Sequence, residues 1–466
     1  MPLRSAVAAT RAALSFSMAL PVLVALLGNA DGAQCGYGTP CRCGDRVTGD
    51  AQLAADLGPC DGNGLVLKDG VTLDCQGHTV RGRTGRPDLR RRTRLSVGIT
   101  LDRTLGASVR RCRVTGFDYG IRLSGAWKSQ VIGSEAFRNG NFVTHVGYGI
   151  HLSRAQRNTV QGCVVHENAD EGIHIGNGSD GNTLIGNQAY DNTRENYYIL
   201  SARENRLLRN RARGKVSADL YMKHALDNRI EGNQFDDRPV VVRGRSSGNI
   251  FADNDFGAGL RFEAYGEGPD EAPTENVVRG GHLRGRQVCL EFLGAHDNRI
   301  EAVLLQGCPS VVSRATAPAV NDLIGIDLAG VRLDLADSAS LRLLTRVQIS
   351  VRTAAARPVP EARISLRDGL GDAHQGPTTD RSGVAVCEVP LSRVTASGRT
   401  TLTPVAVTVG AKGYTSNRAA IAGPAMKVLT VTLTSSERRN PPGSEAPGVA
   451  RSRRGATAST PGQERQ

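Results

Sequence analysis

An asparagine returns every 21 to 27 residues through the middle of the chain, each time opening the same short phrase. The phrase reads Asn158-Thr-Val-Gln-Gly-Cys, Asn182-Thr-Leu-Ile-Gly-Asn, Asn205-Arg-Leu-Leu-Arg-Asn and Asn228-Arg-Ile-Glu-Gly-Asn. It continues as Asn249-Ile-Phe-Ala-Asp-Asn, Asn276-Val-Val-Arg-Gly-Gly and Asn298-Arg-Ile-Glu-Ala-Val, and Asn321-Asp-Leu-Ile adds one more. Repetition at such a period signals a solenoid, in which one repeat is one turn that buries its apolar face only against its neighbours.

A strand-like word sits about nine residues ahead of each asparagine. Gly149-Ile-His-Leu precedes Asn158, and Gly120-Ile-Arg-Leu and Gly98-Ile-Thr-Leu occupy that place in earlier turns, where Ser129 and Ala107 stand for the asparagine. Gly172-Ile-His-Ile, Asn196-Tyr-Tyr-Ile, Asp219-Leu-Tyr-Met, Val240-Val-Val-Arg and Cys289-Leu-Glu-Phe follow. Apolar second and fourth positions around a mostly polar third give the period-2 alternation of a half-buried strand, with no helical period competing. Glycine and asparagine mark the corners, where positive φ is expected. The predicted fold is all-β: a right-handed parallel β-helix over residues 65–335. Its coils should lie about 4.8 Å apart, with the asparagines laddered inside a corner as structural groups.

These phrases resemble the parallel β-helix repeat of the pectate-lyase-like superfamily over about residues 65–330. That superfamily includes pectate lyases, alginate lyases, mannuronan C-5 epimerases and the periplasmic β-helix protein of nitrous-oxide-reductase maturation. The resemblance implies the scaffold, which hosts many activities.

Residues 1–33 have the form of a secretory signal peptide, with Arg4 and Arg11 before an apolar run and small residues at Ala30 and Ala33. No later stretch is apolar enough to span a membrane, so an exported protein, periplasmic or extracellular, is expected. Export favours disulfides over a metal cluster among Cys35, Cys41, Cys43, Cys60 and Cys75, in a cysteine-rich cap over residues 34–64 and the first coil. Cys112 and Cys163 fall at the same place in repeats two coils apart, which predicts buried core residues rather than partners.

From residue 341 to 434, strands such as Val347-Gln-Ile-Ser-Val and Ala362-Arg-Ile-Ser-Leu alternate with turns such as Thr379-Asp-Arg-Ser-Gly. This predicts a small Ig-like β-sandwich, and the segment resembles carboxypeptidase-regulatory-like domains. Residues 435–466 carry almost no apolar side chains and are predicted to be disordered.

The formal net charge is +13. Arg81, Arg83, Arg86, Arg90, Arg91, Arg92 and Arg94 crowd one segment, read as a solvated loop or as a patch for an acidic polysaccharide. Few aromatics interleave with them, which argues against nucleic acid.

Stacked in register, the third residues of the words form an outward row: Thr100, Arg122, His151, His174, Tyr198, Tyr221, Val242 and, after an inserted turn, Glu291. Asp118, Tyr119, Tyr148, Asp170, Glu171, Arg194 and Glu195 flank it upstream. Lys223 lies on the next outward position, with His145 and His166 in preceding turns. Such a row suits chemistry on a uronic sugar. Abstraction of the proton beside a carboxylate needs a base, His174, His151 or Tyr198. It also needs a cation or proton donor for the developing enolate, from Arg122, Arg194 or Lys223. Asp170 and Glu171 complete the catalytic set, and Tyr148, Glu195, Tyr221 and Asp118 join the substrate-binding set. Acid and base are expected on opposite sides of the sugar.

Asp170-Glu171-Gly-Ile-His174 resembles the acidic-residue-then-histidine motif of C-5 epimerases, without that family's Asp-Pro-His core. Pairing Asp170 or Glu171 with Asp118 or Glu195 would instead serve glycoside hydrolysis, which ranks lower because clustered aspartates are missing. A uronate lyase or epimerase is therefore expected, with a noncatalytic glycan-binding or structural β-helix as the alternative. Copper or zinc on His151, His174 and Glu171 is a second alternative, weakened by the few methionines. No cofactor is required, though a divalent cation is compatible. The expected partner is an acidic polysaccharide, and the oligomeric state stays open.

Overall fold

The computed structural model describes residues 33–83, 95–141, 147–214, 216–266 and 271–436. The expected signal peptide up to residue 32, Arg86, Arg90, Arg91, Arg92, Arg94, His145 and the tail beyond residue 436 lie outside the described residues. The described chain is strand, turn and bend, with no helix. It winds as a right-handed-type parallel β-solenoid of about twelve turns.

Each coil contributes three short strands, which stack in parallel on three faces. Face A holds the words, for example Tyr119–Ser124, Tyr148–Ser153, Ile173–Gly176, Glu195–Leu200 and Ala218–Lys223. Face B holds the asparagine phrases, such as Thr159–Gln161 and Thr183–Ile185. Face C follows, with Val164–His166 and Gln188–Tyr190. Alternate side chains of all three faces point inward and are fully buried, among them Ile121, Leu152, Val160, Val165, Ile199 and Leu207. Toward the C-terminal coils the interior fills with rings, such as Phe262 over Phe292 at 5.5 Å. Identical packing in successive coils is what permits one repeat to propagate.

The asparagine ladder runs inside the corner between faces A and B. The Oδ1 of Asn182 accepts both the backbone N–H and the Nδ2 of Asn158, at 2.9 and 3.0 Å, and Asn205 does the same for Asn182. The pattern continues to Asn321. Ser129 extends it upstream, donating its N–H to Asn158 and accepting that of Ala107 on Oγ. Asn187, Asn210, Asn233 and Asn254, the closing residues of four phrases, form a second ladder between faces B and C. Positive φ falls beside the first ladder rather than on it. Arg157, Glu204, Asp227, Glu275 and Asp297, each just before an asparagine, have φ of 53–58°. The asparagine itself has to turn its amide inward, so its predecessor makes the bend.

One coil departs from the expected register. Val240 pairs with Leu220, and Val241, not Val242, continues the row opposite Tyr221. The cause is Asp219, whose Oδ2 accepts the N–H groups of Asp237 and Arg238, both at 3.0 Å, and pins the incoming corner. Val242 consequently points into the core. The coil read as an insertion is regular: Leu260–Glu263 stacks between its neighbours and places Arg261 between Val241 and Glu291.

Disulfides join Cys35–Cys41, Cys43–Cys60, Cys75–Cys112 and Cys289–Cys308. Cys112 is buried and does not pair with Cys163, as expected, but it is bonded to Cys75 one coil below, a pairing not read from the sequence. Cys163 is a buried free thiol, as expected.

The strand Arg332–Thr353 pairs in parallel with Ser310–Ile324 of the last coils. It then runs on, antiparallel to Val384–Thr395 and parallel to Val428–Ser435. Beside it lies a small antiparallel sheet of Arg363–Arg367, Ala373–Gln375, Val405–Gly410 and Asn417–Ile421. Ile349, Val351, Ile364, Leu366, Val407 and Ile421 share one core between them.

Candidate functional site

Parallel pairing sets Arg122, His151, His174, Tyr198 and Tyr221 side by side on face A. The register that buries Ile150, Ile173 and Tyr197 turns these neighbours to the outer side of the strand, where Arg122, His151, Tyr198 and Tyr221 are half-buried and His174 is buried. His151 and His174 meet edge to face with centroids 5.0 Å apart. His174 meets Tyr198 at 4.9 Å, and Tyr198 meets Tyr221 at 5.4 Å. Tyr148 stacks on His151 at 4.8 Å and touches His174 with its edge. Tyr119 joins this group, stacked against His151 and overlain by the guanidinium of Arg122.

The upstream corner holds the acids. Asp170, Glu171 and Glu195 are all buried, while Arg194 is largely exposed above them. Arg194 reaches Asp170 at 3.5 Å, Glu171 at 3.8 Å and Glu195 at 3.9 Å. The Oε2 of Glu171 lies 3.8 Å from Nδ1 of His174. Ser217 donates to Glu195 at 2.8 Å. Three carboxylates around one cation cannot all ionise easily. Burial, and then the charge of Glu171, push Asp170 up to about 7, against the pull of Arg194. Burial raises Glu195 as well. Desolvation, with His174 and Arg122 nearby, holds His151 down to about 3, so its imidazole is neutral. Burial likewise keeps the phenols of Tyr148 and Tyr198 protonated.

Gly176 is a site residue with no signal in the word pattern. A Cβ there would stand 2.8 Å from Nε2 of His174. Nδ1 of the buried His174 faces Glu171, so Nε2 is the nitrogen beside Gly176, where a side chain would crowd it. The other expected residues divide. Asp118 is buried and accepts the N–H and Oγ of Ser96, at 2.7 and 2.8 Å. Lys223 stands over the ring of Tyr265, away from the histidines. His166 is on face C, stacked between Phe137 and Tyr190 and bonded to Glu135.

Residues 80–268 match the family model described as "Periplasmic copper-binding protein (NosD)". Curated proteins gave no match. Among solved structures, the periplasmic alginate epimerase AlgG is similar at 13% identity and a TM-score of 0.37, over 56% of this chain and 68% of that one. The Dettilon tailspike protein is similar at 12% identity and a TM-score of 0.44, over 84% and 71%. DFA-IIIase from Arthrobacter chlorophenolicus A6 is similar at 10% identity and a TM-score of 0.38, over 66% and 85%.

The copper named by the family model does not find a donor set among the described residues. Among the described residues, no three His, Cys, Asp or Glu side chains gather so as to hold a metal ion. His151 and His174 pack as rings, and the thioether of Met222 and the free thiols of Cys163 and Cys387 are buried.

Proposed function

We propose that this is an exported protein that cleaves a uronate-type polysaccharide by β-elimination on face A. The observation that carries this reading is the contact of His174 with Tyr198, with Glu171 behind the imidazole. The two rings touch, so a sugar cannot stand between them and must lie across both. Acid and base then act from one side. That departs from the opposite-side arrangement expected from the sequence, and it suits syn elimination better than inversion at C5.

In this scheme Nε2 of His174 removes the C5 proton, and the electron pair forms the C4=C5 double bond as the C4–O4 bond breaks. The phenol of Tyr198 gives its proton to O4. The protonated imidazolium, steadied by Glu171, returns the proton to the phenolate through the ring contact or solvent. The sugar carboxylate gathers negative charge as C5 is deprotonated. Arg122 and Arg194 offset that charge, and the proton held on Asp170 supplies a hydrogen bond. Export agrees with the four disulfides.

The test is the ultraviolet absorbance of the unsaturated product while the protein acts on a panel of uronate polysaccharides. A rise that disappears in His174→Ala and Tyr198→Phe supports elimination at this site. No rise across the panel, with oligosaccharide binding retained, would replace the lyase with a noncatalytic glycan-binding face.

A further inference from the structure

Lys223 and Arg243 are register partners on the outward row next to the histidines, one coil apart. Both converge on one exposed ring. The Nζ of Lys223 is 3.7 Å from the centroid of Tyr265, and the Cζ of Arg243 is 4.8 Å from it. Arg243 also donates to the hydroxyl of Tyr221 at 3.1 Å, which ties this cluster to the end of the aromatic row. A hollow of about 530 Å³, lined by His224, Arg245, Tyr265 and Glu271, opens beside it.

The charges here are unevenly matched. Arg245 is held by Glu271 at 2.7 Å, and Arg261, a coil further on, is held in a fork by Glu291 at 3.0 Å. Arg243 has Glu263 at 3.4 Å, but its Nε is buried without an acceptor. Lys223 has no carboxylate partner among the described residues, although lysines are few in this arginine-rich chain. Two cations held over one ring repel each other, and the ring offsets only part of that repulsion. An anion placed between them would relieve it.

We infer that Lys223, Arg243 and Tyr265 form a second subsite, which takes a carboxylated sugar on the same polymer that crosses His174 and Tyr198. The inference rests on the acidic-polysaccharide reading above. Tyr265 is exposed and offers its ring to the sugar, and the two cations bind the sugar carboxylate. Lys223 is two coils beyond the His174 strand, and Arg243 is three. At about 4.8 Å per coil the subsite therefore lies roughly 10–14 Å along the axis from His174. A disaccharide on the histidines cannot reach it, whereas a longer chain running along the solenoid can. The subsite would make binding depend on chain length and set the direction in which the polymer lies.

Calorimetric titration of the full exported chain tests this in a His174→Ala background, where substrate is not consumed. Lys223→Met and Tyr265→Ala are expected to weaken binding of a long uronate oligomer about tenfold or more, while leaving a uronate disaccharide unaffected. Equal losses for a neutral glucan of the same length would overturn the charge-based assignment. If the long uronate oligomer binds both variants as tightly as the parent, the subsite is wrong and the acidic-polysaccharide reading stands. If the parent itself binds no uronate oligomer of any length, that reading fails and the subsite fails with it.

Discussion

His174 meets Tyr198 edge to face, centroids 4.9 Å apart, because parallel pairing sets the two residues opposite each other on adjacent coils. In the proposed scheme the contact joins the base to a proton donor, and burial suppresses the ionisation of that phenol. It is also a product of regular winding, since His151 with His174 and Tyr198 with Tyr221 meet in the same way. Chemistry depends on which side chains occupy the row.

Removal of either partner should stop turnover without unfolding the coil. Tyr198→Phe keeps the ring packing and loses only the proton, so an activity loss of about 10²–10⁴-fold is expected with an unchanged melting temperature. A Tyr198→Phe enzyme of full activity would exclude this phenol as the acid.

A side chain at Gly176 would crowd Nε2 of His174, so Gly176→Val should lower activity by about 10²-fold while far-ultraviolet dichroism stays the same. Gly178→Ala gives a contrast at a glycine without contact to the imidazole ring. Equal losses in both variants would point to general strain rather than a blocked nitrogen.

The buried carboxyls should make stability depend on pH in a defined direction. Asp170 releases its proton near 3.8 when unfolded and near 7 when folded. The folded chain therefore holds the extra proton between those values, and its contribution to stability declines as pH rises through about 7. His151 acts in the other direction. It is held neutral to about 3 against an ordinary 6.5, so its contribution is present above pH 6.5 and declines as pH falls toward 3. Melting temperatures from pH 4 to 8 should show the alkaline decline flattened in Asp170→Asn and the acid decline flattened in His151→Phe. Parallel curves for parent and variants would refute both assignments.

Asn205→Ala should destabilise the central coils. The substitution removes the acceptor for the buried N–H of Asn182 at 2.8 Å, and a buried donor left unpaired costs about 1–3 kcal/mol. Hydrogen exchange is the suitable measurement, because the loss should be confined to coils around the gap. Uniform exchange along the solenoid would argue against a local ladder.

Cys75 and Cys112 are 37 residues apart in sequence, so replacing both by serine should cost about 2–4 kcal/mol. The first coils should then lose protection before the centre does. Proteolysis of the reduced and oxidised protein, followed by mass mapping, would show whether cleavage begins there.

Much of this site is legible from residue order because strand alternation and repeat length act on every coil. Together they predict the row from Thr100 to Tyr221, residue for residue. The prediction slips at Val242, where the deciding contact is between Asp219 and the backbone of the next coil. Arg261 is missed for a related reason, since Gly259-Leu-Arg-Phe carries the word but lies in a coil read as an insertion. Tyr265 has no pattern signal at all, because it stands at a corner outside both the word and the phrase.

What the amino-acid sequence determines alone is the winding: inward and outward faces, coil length and the asparagine corners. These follow from local alternation and from side chains that bond the equivalent residue one turn away. Tertiary structure alone decides that Glu171 backs His174, that Asp170 keeps its proton near neutrality, and that Cys112 meets Cys75. It also decides that Lys223 and Arg243 share one ring. Each of these depends on distances between residues a coil or more apart and on burial that excludes water, and neither is written in any single repeat.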